Sequence, residues 1–189
     1  PAAEVPLPPI ALSEGDWPGF RGAQRDSRVL GVTINDDWTK KPPQEIWSRD
    51  VGPGWSSFAV VGGALFTQEQ LGAMEAVVCY DAVTGAERWK HVDEARFNEL
   101  VAGPGPRGTP TFHEGKVYTL GAKANLNCLD AATGKVIWAH DLMKEIGAKL
   151  PEWGFAASPL VIAGVVVVNA DGENDHGLVA YRADTGAPA

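Results

Sequence analysis

The chain has 189 residues, a length that suits one ordinary domain with its own hydrophobic core. Its 16 basic and 24 acidic side chains give a formal net charge of −8, which argues against a general nucleic-acid binder and against attraction to anionic membranes. Hydrophobic residues make up 44% and charged residues 21%, which is typical of a globular protein and excludes a disordered or fibrous one.

The N-terminal segment, residues 1–15, is rich in proline and alanine and is predicted to be an extended tether. It has no basic stretch followed by an apolar one, so no signal peptide is recognised in it. The longest apolar run, LVIAGVVVV (160–168), has the length of a strand and is too short to cross a bilayer. Short valine-rich runs between turns, together with 22 Gly and 7 Trp, predict an all-β protein.

Three segments of the chain repeat one pattern: a hydroxyl residue, a short apolar strand and a glycine at the same offset. We expect Gly63, Gly115 and Gly164 to close hairpins at positions that need a positive φ. A second and a third strand follow in each unit. The aligned copies are SFAVVGGAL (57–65), TPTFHEGKV (109–117) and SPLVIAGVV (158–166).

A turn signature follows the third strand of each unit, as DAVTGAERW (81–89), DAATGKVIW (130–138) and RADTGAPA (182–189). Asp-x-x-Thr-Gly suits a tight turn in which the carboxylate accepts backbone N–H bonds and glycine takes the left-handed conformation. The tryptophan on the fourth strand can fill the gap between sheets and donate its N–H to a backbone acceptor. The structural docking residues predicted from this pattern are Trp47, Asp81, Thr84, Gly85, Trp89, Asp130, Thr133, Gly134, Trp138, Thr185 and Gly186.

Four short antiparallel strands in a unit of about 50 residues describe the blade of a β-propeller. A β-sandwich is the alternative, but sandwich strands do not repeat their turn chemistry at a fixed period. Because rings close with roughly four to eight blades, we expect residues 16–189, about three blades, to be the N-terminal part of a longer propeller. The predicted units are an outer strand at 44–51, blades at 55–92 and 107–141, and an incomplete blade at 156–189.

The pattern Asp-x-x-Thr-Gly-x-x-x-Trp resembles the tryptophan-docking repeat of the pyrroloquinoline-quinone (PQQ) dehydrogenase propellers. It equally resembles the PQQ-like repeats of non-enzymatic outer-membrane assembly lipoproteins. The resemblance runs from Trp47 to Gly186, and DWPGFRG (16–22) and GWSS (54–57) look like the opening of exported bacterial PQQ-like propellers. It implies an eight-bladed ring in the periplasm or outside the cell. Both groups share the docking motif, so it does not decide function.

The quinone enzymes of that group typically have adjacent cysteines that form a disulfide beneath the cofactor. Here Cys79 and Cys128 occupy equivalent positions of consecutive repeats, and the third repeat has Ala180 there. An interchangeable Cys/Cys/Ala position predicts small buried core sites and two free thiols. The acidic segment DGENDHG (171–177) lacks the glycine and glutamate positions of an EF-hand and indicates a solvated turn, so no metal is predicted.

No catalytic residue is predicted, because the repeated His91 and His140 indicate a scaffold role. Two long connections, 91–108 and 139–157, each contain a predicted short helix and share a face with the second-to-third-strand loops, including QEQLGAME (68–75). An arginine and two tryptophans there could bind a sugar, a peptide or an acidic group, the alternative being a rigid loop with packed rings. The predicted ligand or partner residues are Trp55, Glu69, Glu75, Arg107 and Trp153.

These observations favour an exported, non-catalytic binding or scaffold module that recognises a protein, peptide or glycan through its loop face, without a cofactor. The alternative is a dehydrogenase of alcohols or sugars that uses PQQ and calcium, its active site completed by blades outside this segment. A carbohydrate-binding domain associated with a hydrolase is a third interpretation. Uptake of quinone and calcium would separate the enzyme from the binding modules.

Overall fold

The computed structural model describes residues 9–172 and 177–189. The described residues form short β-strands and one short helix, and no helix among them is long and apolar enough to span a membrane. The elements are β1 (Ala59–Val61), β2 (Ala64–Leu71), β3 (Met74–Asp81), β4 (Glu87–Asp93), β5 (Asn98–Glu99), β6 (Gly103–Pro104), β7 (Thr111–His113), β8 (Lys116–Leu120), β9 (Asn125–Asp130), β10 (Val136–Asp141), α1 (Leu142–Ile146), β11 (Leu160–Ile162), β12 (Val165–Asn169) and β13 (Leu178–Arg182).

The strands form three antiparallel meanders that follow one another along the chain. Blade 1 is the sheet β1-β2-β3-β4, blade 2 is β7-β8-β9-β10, and blade 3 is β11-β12-β13. Beyond β13, a backbone bridge between Tyr181 and Pro188 lies where blades 1 and 2 have their fourth strand. The predicted all-β fold with four-stranded antiparallel blades is confirmed, since sheets of this kind in series are the units of a β-propeller.

The first two strands of every blade are joined by a two-residue turn with both residues at positive φ. Gly63, Gly115 and Gly164 have φ values of 74°, 74° and 77°, as predicted, and the residue before each glycine is also left-handed. This is the type I′ geometry, whose twist matches that of a hairpin. The three hairpins are therefore equivalent in backbone as well as in sequence.

A tryptophan ring lies on the signature turn of the following blade at each junction. The indole N–H groups donate to carbonyl oxygens at 3.0, 2.9 and 3.1 Å, from Trp47 to Ala82, Trp89 to Ala131 and Trp138 to Ala183. The ring also covers the glycine of that turn so closely that a Cβ there would clash. The distances from such a Cβ to the ring are 2.7 Å for Gly85 and Trp47, 2.5 Å for Gly134 and Trp89, and 2.8 Å for Gly186 and Trp138.

The aspartate of the signature holds the turn on which the tryptophan lies. Asp81 Oδ1 accepts from the Thr84 backbone N–H at 2.8 Å and from its hydroxyl at 3.0 Å, and Asp130 accepts from Thr133 at 2.8 and 2.7 Å. The guanidinium of Arg88, 2.6 Å from Asp81, is the main reason that the pKa of this carboxyl lies well below its usual range. The turn thus presents a rigid glycine surface to the ring.

The hydrophobic core lies between neighbouring blades. Between blades 1 and 2, Phe66 packs against Trp89 with ring centroids 5.8 Å apart, and Tyr118 packs against Trp138 at 5.9 Å between blades 2 and 3. The two thiols, Cys79 and Cys128, are free and fully buried in these clusters, as the repeat pattern predicts. Burial raises the pKa of both thiols to about 12.

The outer strand predicted at 44–51 is not a paired strand in the structure. A strand needs a backbone partner, and no described segment forms a ladder with these residues. Side chains hold the segment instead: the guanidinium of Arg49 donates to Gly85 O and lies 4.2 Å from the centre of the Tyr80 ring. Together with Trp47, it fastens this segment to blade 1.

The helix predicted in the first long connection is wrong, whereas the one in the second is present. Residues 98–104 form the β5–β6 hairpin instead. The side-chain amide of Gln70 donates to Ala95 O at 3.0 Å and accepts from Phe97 N at 3.4 Å. Because these backbone groups are bonded to Gln70, they are not available for the hydrogen bonds of a helix. In the second connection, α1 is capped by Asp141, whose side chain accepts from Lys144 N at 3.1 Å.

The strap, residues 9–25, crosses the inner strands of all three blades. Ile10 packs against the core between blades 1 and 2, and Asp16 accepts a hydrogen bond from Gly62 N at 3.3 Å. The strap therefore stabilises the edges of the strands nearest the propeller axis. Its remaining bonds join Trp17 to Val60 by both backbone groups, Phe112 N to Pro18 O, and the Arg25 guanidinium to Pro159 O.

Candidate functional site

Arg107 is the centre of the loop face, where the connections between blades meet. Its side chain is only 6% exposed and pairs with Glu99, whose carboxylate lies 3.2 Å from Nη2. The guanidinium also donates to Gly103 O at 2.8 Å and to Trp153 O at 3.3 Å, and it lies 5.0 Å from the centre of the Phe97 ring. Nη1 is buried and has no hydrogen-bond partner among the described residues.

The two tryptophans predicted for this face flank Arg107 and present their rings to solvent. Trp55 is 66% exposed, and its indole N–H donates to Ala102 O at 2.9 Å. Trp153 is 49% exposed and holds Arg107 through its carbonyl oxygen. An exposed ring that is anchored by its N–H, as in Trp55, offers apolar contact area at a small cost in conformational entropy.

A pocket of about 330 Å³ opens beside Trp55. Three of its hydroxyl residues occupy the equivalent position before the inner strand of each blade, and they are linked: Ser57 N donates to Thr109 Oγ1 at 3.2 Å, and Thr109 N donates to Ser158 Oγ at 2.9 Å. These oxygens accept from the backbone, so their O–H groups remain available as donors. Two guanidinium groups and hydroxyl donors suit an anionic group. The polar and aromatic lining residues are Phe20, Arg25, Trp55, Ser57, Arg107, Thr109 and Ser158.

Arg25 belongs to this pocket although the sequence does not single it out. It lies in the strap, outside the repeats, and reaches blade 3 by a hydrogen bond to Pro159 O. No local pattern marks it, because its position depends on how the strap crosses the inner strands. The repeat alignment could only identify residues that vary at equivalent points of the blades, such as Arg107 and Trp55.

Glu69 and Glu75 do not lie in a loop, which corrects the prediction for 68–75. β2 and β3 pair as far as Leu71 and Met74, so only residues 72–73 form the turn. Both glutamates are 4% exposed, because they lie within the strands and pack against neighbouring segments. Glu69 accepts hydrogen bonds from the Tyr80 hydroxyl and from Gly52 N, and therefore holds the segment that leads into blade 1.

Glu75 instead belongs to the junction between blades 1 and 2. Its Oε2 accepts from Ala122 N of blade 2 at 3.1 Å, while its Oε1 is buried without a partner in the described part of the chain. Asp93 lies opposite Glu75 on β4 and accepts from the Asn127 amide at 2.7 Å. Burial raises the pKa of Glu75 to about 7; the bond from Ala122 opposes this shift, and the nearby Asp93 charge adds to it.

His140 joins different elements of the scaffold, and His91 lies on β4. His140 lies 2.7 Å from Glu145 Oε2 of α1 and 2.8 Å from Gly186 O, and its ring stacks on Tyr181 with centroids 4.2 Å apart. His91 Nε2 lies 3.4 Å from Asp93. Within residues 9–172 and 177–189, no three His, Cys, Asp or Glu side chains are grouped as metal ligands. Of the acidic segment 171–177, residues 173–176 lie outside the described residues.

The sequence profile of one protein family, "Outer membrane protein assembly factor BamB", matches residues 73–189. The chain belongs to this family. The predicted PQQ-like repeat is thereby confirmed, and the matched residues of this BamB-type chain include both complete turn signatures. No curated protein matches the chain.

Solved structures similar to this BamB-type chain include alcohol and methanol dehydrogenases. Quinohemoprotein alcohol dehydrogenases from Comamonas testosteroni and from Pseudomonas putida HK5 are both 22% identical to it, with TM-scores of 0.66 and 0.67 over 92% and 94% of the chain. A europium-containing methanol dehydrogenase is 19% identical, with a TM-score of 0.53 over 74% of the chain. The match covers 26%, 26% and 24% of these dehydrogenases, so the likeness shows a shared propeller fold over about a quarter of their length.

Proposed function

We propose that the chain is part of an exported, non-catalytic binding or scaffold propeller whose loop face recognises a protein, a peptide or a glycan. A protein is the partner that the name of the family favours, because it describes an assembly factor of outer-membrane proteins. The same description supports a periplasmic or extracellular location. The polar pocket beside Trp55 is where we place an acidic group of the partner.

The observation that carries this proposal is the anchoring of Arg107 between two exposed tryptophans. Four contacts from the two long connections hold this arginine in place. The indole of Trp55 is tied to the first of these connections by its hydrogen bond to Ala102 O. A rigid aromatic pair around a buried cation matches the composition of binding hot spots. Neither tryptophan ring is needed for the core, which lies between the blades.

Substitution of the exposed rings tests the proposal. Trp55→Ala and Trp153→Ala in the full-length protein should each weaken recovery of a partner from periplasmic extract roughly tenfold or more, as expected for a hot-spot aromatic residue. The matched control is Trp38→Ala, because Trp38 is also exposed, at 58%, and its indole bonds to Asn35 O, away from Arg107 and the two long connections. Unchanged thermal unfolding should accompany the weaker recovery. Equal recovery for all three variants would reject the loop face as the binding surface.

A second candidate is a PQQ- and calcium-dependent dehydrogenase, because the pocket chemistry suits a planar carboxylate-bearing cofactor. Arg25 and Arg107 could hold carboxylates of such a group, and Trp55 could cover its flat face. The quinone would supply the hydride acceptor. The adjacent cysteines that the resemblance implies are not matched by Cys79 and Cys128, which are buried in two separate clusters, one between blades 1 and 2 and the other between blades 2 and 3.

Binding of the quinone separates the two candidates. The dehydrogenase predicts that full-length protein takes up PQQ with calcium at micromolar concentration, quenches the quinone's fluorescence and reduces a dye with an alcohol or sugar. Arg107→Lys should weaken the uptake, because lysine cannot form the planar paired bonds of arginine. No uptake by the unmodified protein would remove this candidate and leave the binding module.

A further inference from the structure

The inner strand of each blade carries one residue whose backbone points away from its own sheet. These residues are equivalent in the repeat: Val60, Phe112 and Val161. Val60 faces Leu65 and Val161 faces Val166, each one step from a two-residue type I′ turn. In such a hairpin these facing residues do not bond to each other, so the N–H and C=O groups of Val60 and Val161 project from the inner edge of their sheets.

The strap satisfies this edge in blade 1 and in part in blade 2. Trp17 and Val60 exchange two backbone hydrogen bonds of 2.8 Å, which is an antiparallel β-bridge. In blade 2, Phe112 N donates to Pro18 O at 2.7 Å. In blade 3, the corresponding N–H and C=O of Val161 have no hydrogen-bond partner among the described residues. The strap therefore shows how the edge is covered, and the third equivalent position is left uncovered.

A pocket of about 890 Å³ lies at this uncovered position. Apolar side chains from three sources form most of its wall: the strap contributes Ile10 and Leu12, β7 contributes Phe112, and β11 contributes Leu160 and Ile162. Ile162 is 57% exposed and Leu12 is 55% exposed, although both are large apolar residues. An unpaired strand edge beside an apolar groove is the arrangement that binds peptides by strand addition.

We propose that the inner edge of β11 binds an extended peptide segment of a protein partner, which pairs with Val161 as Trp17 pairs with Val60. An apolar side chain of that segment enters the groove between the strap and β11. The inference rests on the proposed function, because it gives a peptide-binding role to a binding propeller, but it uses a different surface from the Trp55 pocket. The strap indicates what kind of ligand binds at β11. It is itself an extended segment, and it pairs with the equivalent inner edge of β1 in blade 1.

The probe is a fluorescein-labelled peptide with the strap sequence SEGDWPG (13–19), because these residues form the bridge at the equivalent position of blade 1. Fluorescence anisotropy would measure its binding to the full-length protein. Val161→Pro removes the projecting N–H, yet it leaves the β11–β12 ladder, because Leu160 and Ile162 make those bonds. We expect Val161→Pro to weaken probe binding about tenfold, the factor that corresponds to one backbone hydrogen bond.

A second pair of variants covers the case in which proline disturbs the blade. Ile162→Asp replaces an apolar wall of the groove by a charge and should weaken the probe at least as much, because the bound peptide would remove water from the carboxylate. Leu178→Asp is the matched control: Leu178 is 69% exposed on the same sheet and does not line the groove, so probe binding should not change. Circular dichroism melting would show which variants keep the fold.

Backbone amide exchange gives an independent result. In the free protein the amide of Val60 should be protected and that of Val161 should exchange freely, and the probe should protect Val161 alone. Protection of Val161 before the probe is added, failure of the probe to bind, or equal binding to Ile162→Asp and Leu178→Asp would each overturn the inference. If these failures occur while Trp55→Ala still reduces partner recovery, the proposed function stands and only the β11 site is rejected.

Discussion

Replacing Gly134 by alanine places a methyl group against the ring of Trp89, and this tests the role of the docking contact. Gly134 has φ +71°, and a Cβ on it would lie 2.5 Å from the ring. Gly115 provides the matched control, because its φ is +74° and a Cβ there would have nothing within 4 Å. Both substitutions impose the same left-handed strain on alanine, but only one of them displaces the tryptophan.

The strain alone should cost about 1 kcal/mol of the free energy of unfolding at either position. At Gly134 the ring must also move. Trp89 is 8% exposed and packs against Phe66, so it has little room, and overpacking of this kind costs about 1–3 kcal/mol more. We therefore expect a loss of about 1 kcal/mol for Gly115→Ala and about 2–4 kcal/mol for Gly134→Ala. For a chain of this size, each kcal/mol lowers the melting temperature by about 2–4 °C.

Equilibrium unfolding in urea, followed by circular dichroism, would measure both losses. The substitutions are then repeated in a Trp89→Leu background, where the ring is absent and Gly134→Ala should cost no more than Gly115→Ala. The difference between the two backgrounds is the free energy of the clash. Equal losses for the two alanines in the unmodified protein would refute the reasoning, because they would mean that Trp89 is not confined by the turn of blade 2.

Two further predictions concern buried groups that titrate. The pKa of Glu75 is raised from 4.5 to about 7, so the free energy of unfolding should fall as pH rises through this range, by about 3 kcal/mol at most. Glu75→Gln should flatten that decline in urea titrations, and an unchanged decline would show that another group causes it. The thiols of Cys79 and Cys128, each with a pKa near 12, should resist iodoacetamide at neutral pH in the folded protein and react in urea. Mass spectrometry would count the adducts, and fast labelling without urea would contradict the burial.

The blade could be predicted from the sequence because its turns are local. The positive φ at Gly63 and the hydrogen bonds of Asp81 to Thr84 depend on residues a few positions apart. The same holds for α1, whose cap is formed by Asp141. The first connection could not be predicted in this way, because Gln70, on a different strand, decides that residues 98–104 form a hairpin and not a helix.

The candidate site was predictable only in part. Arg107 and Trp55 differ from their equivalents in other repeats, and the structure places both beside one pocket. Glu69 and Glu75 were misplaced because the length of a hairpin depends on how far its two strands pair, which the residue types near its tip do not specify. Arg25 carries no sequence signal at all, since it reaches the pocket from the strap.

By itself, the repeated sequence determined the strand order of a blade, the shape of its turns and the burial of the repeated cysteines, since these properties follow from short-range chemistry that recurs with each unit. Only the tertiary structure decided which surfaces meet. The strap covers Val60 and leaves Val161 uncovered, although the repeat makes the two residues equivalent. That difference arises because one short segment crosses three blades and can form a complete bridge with only one of them.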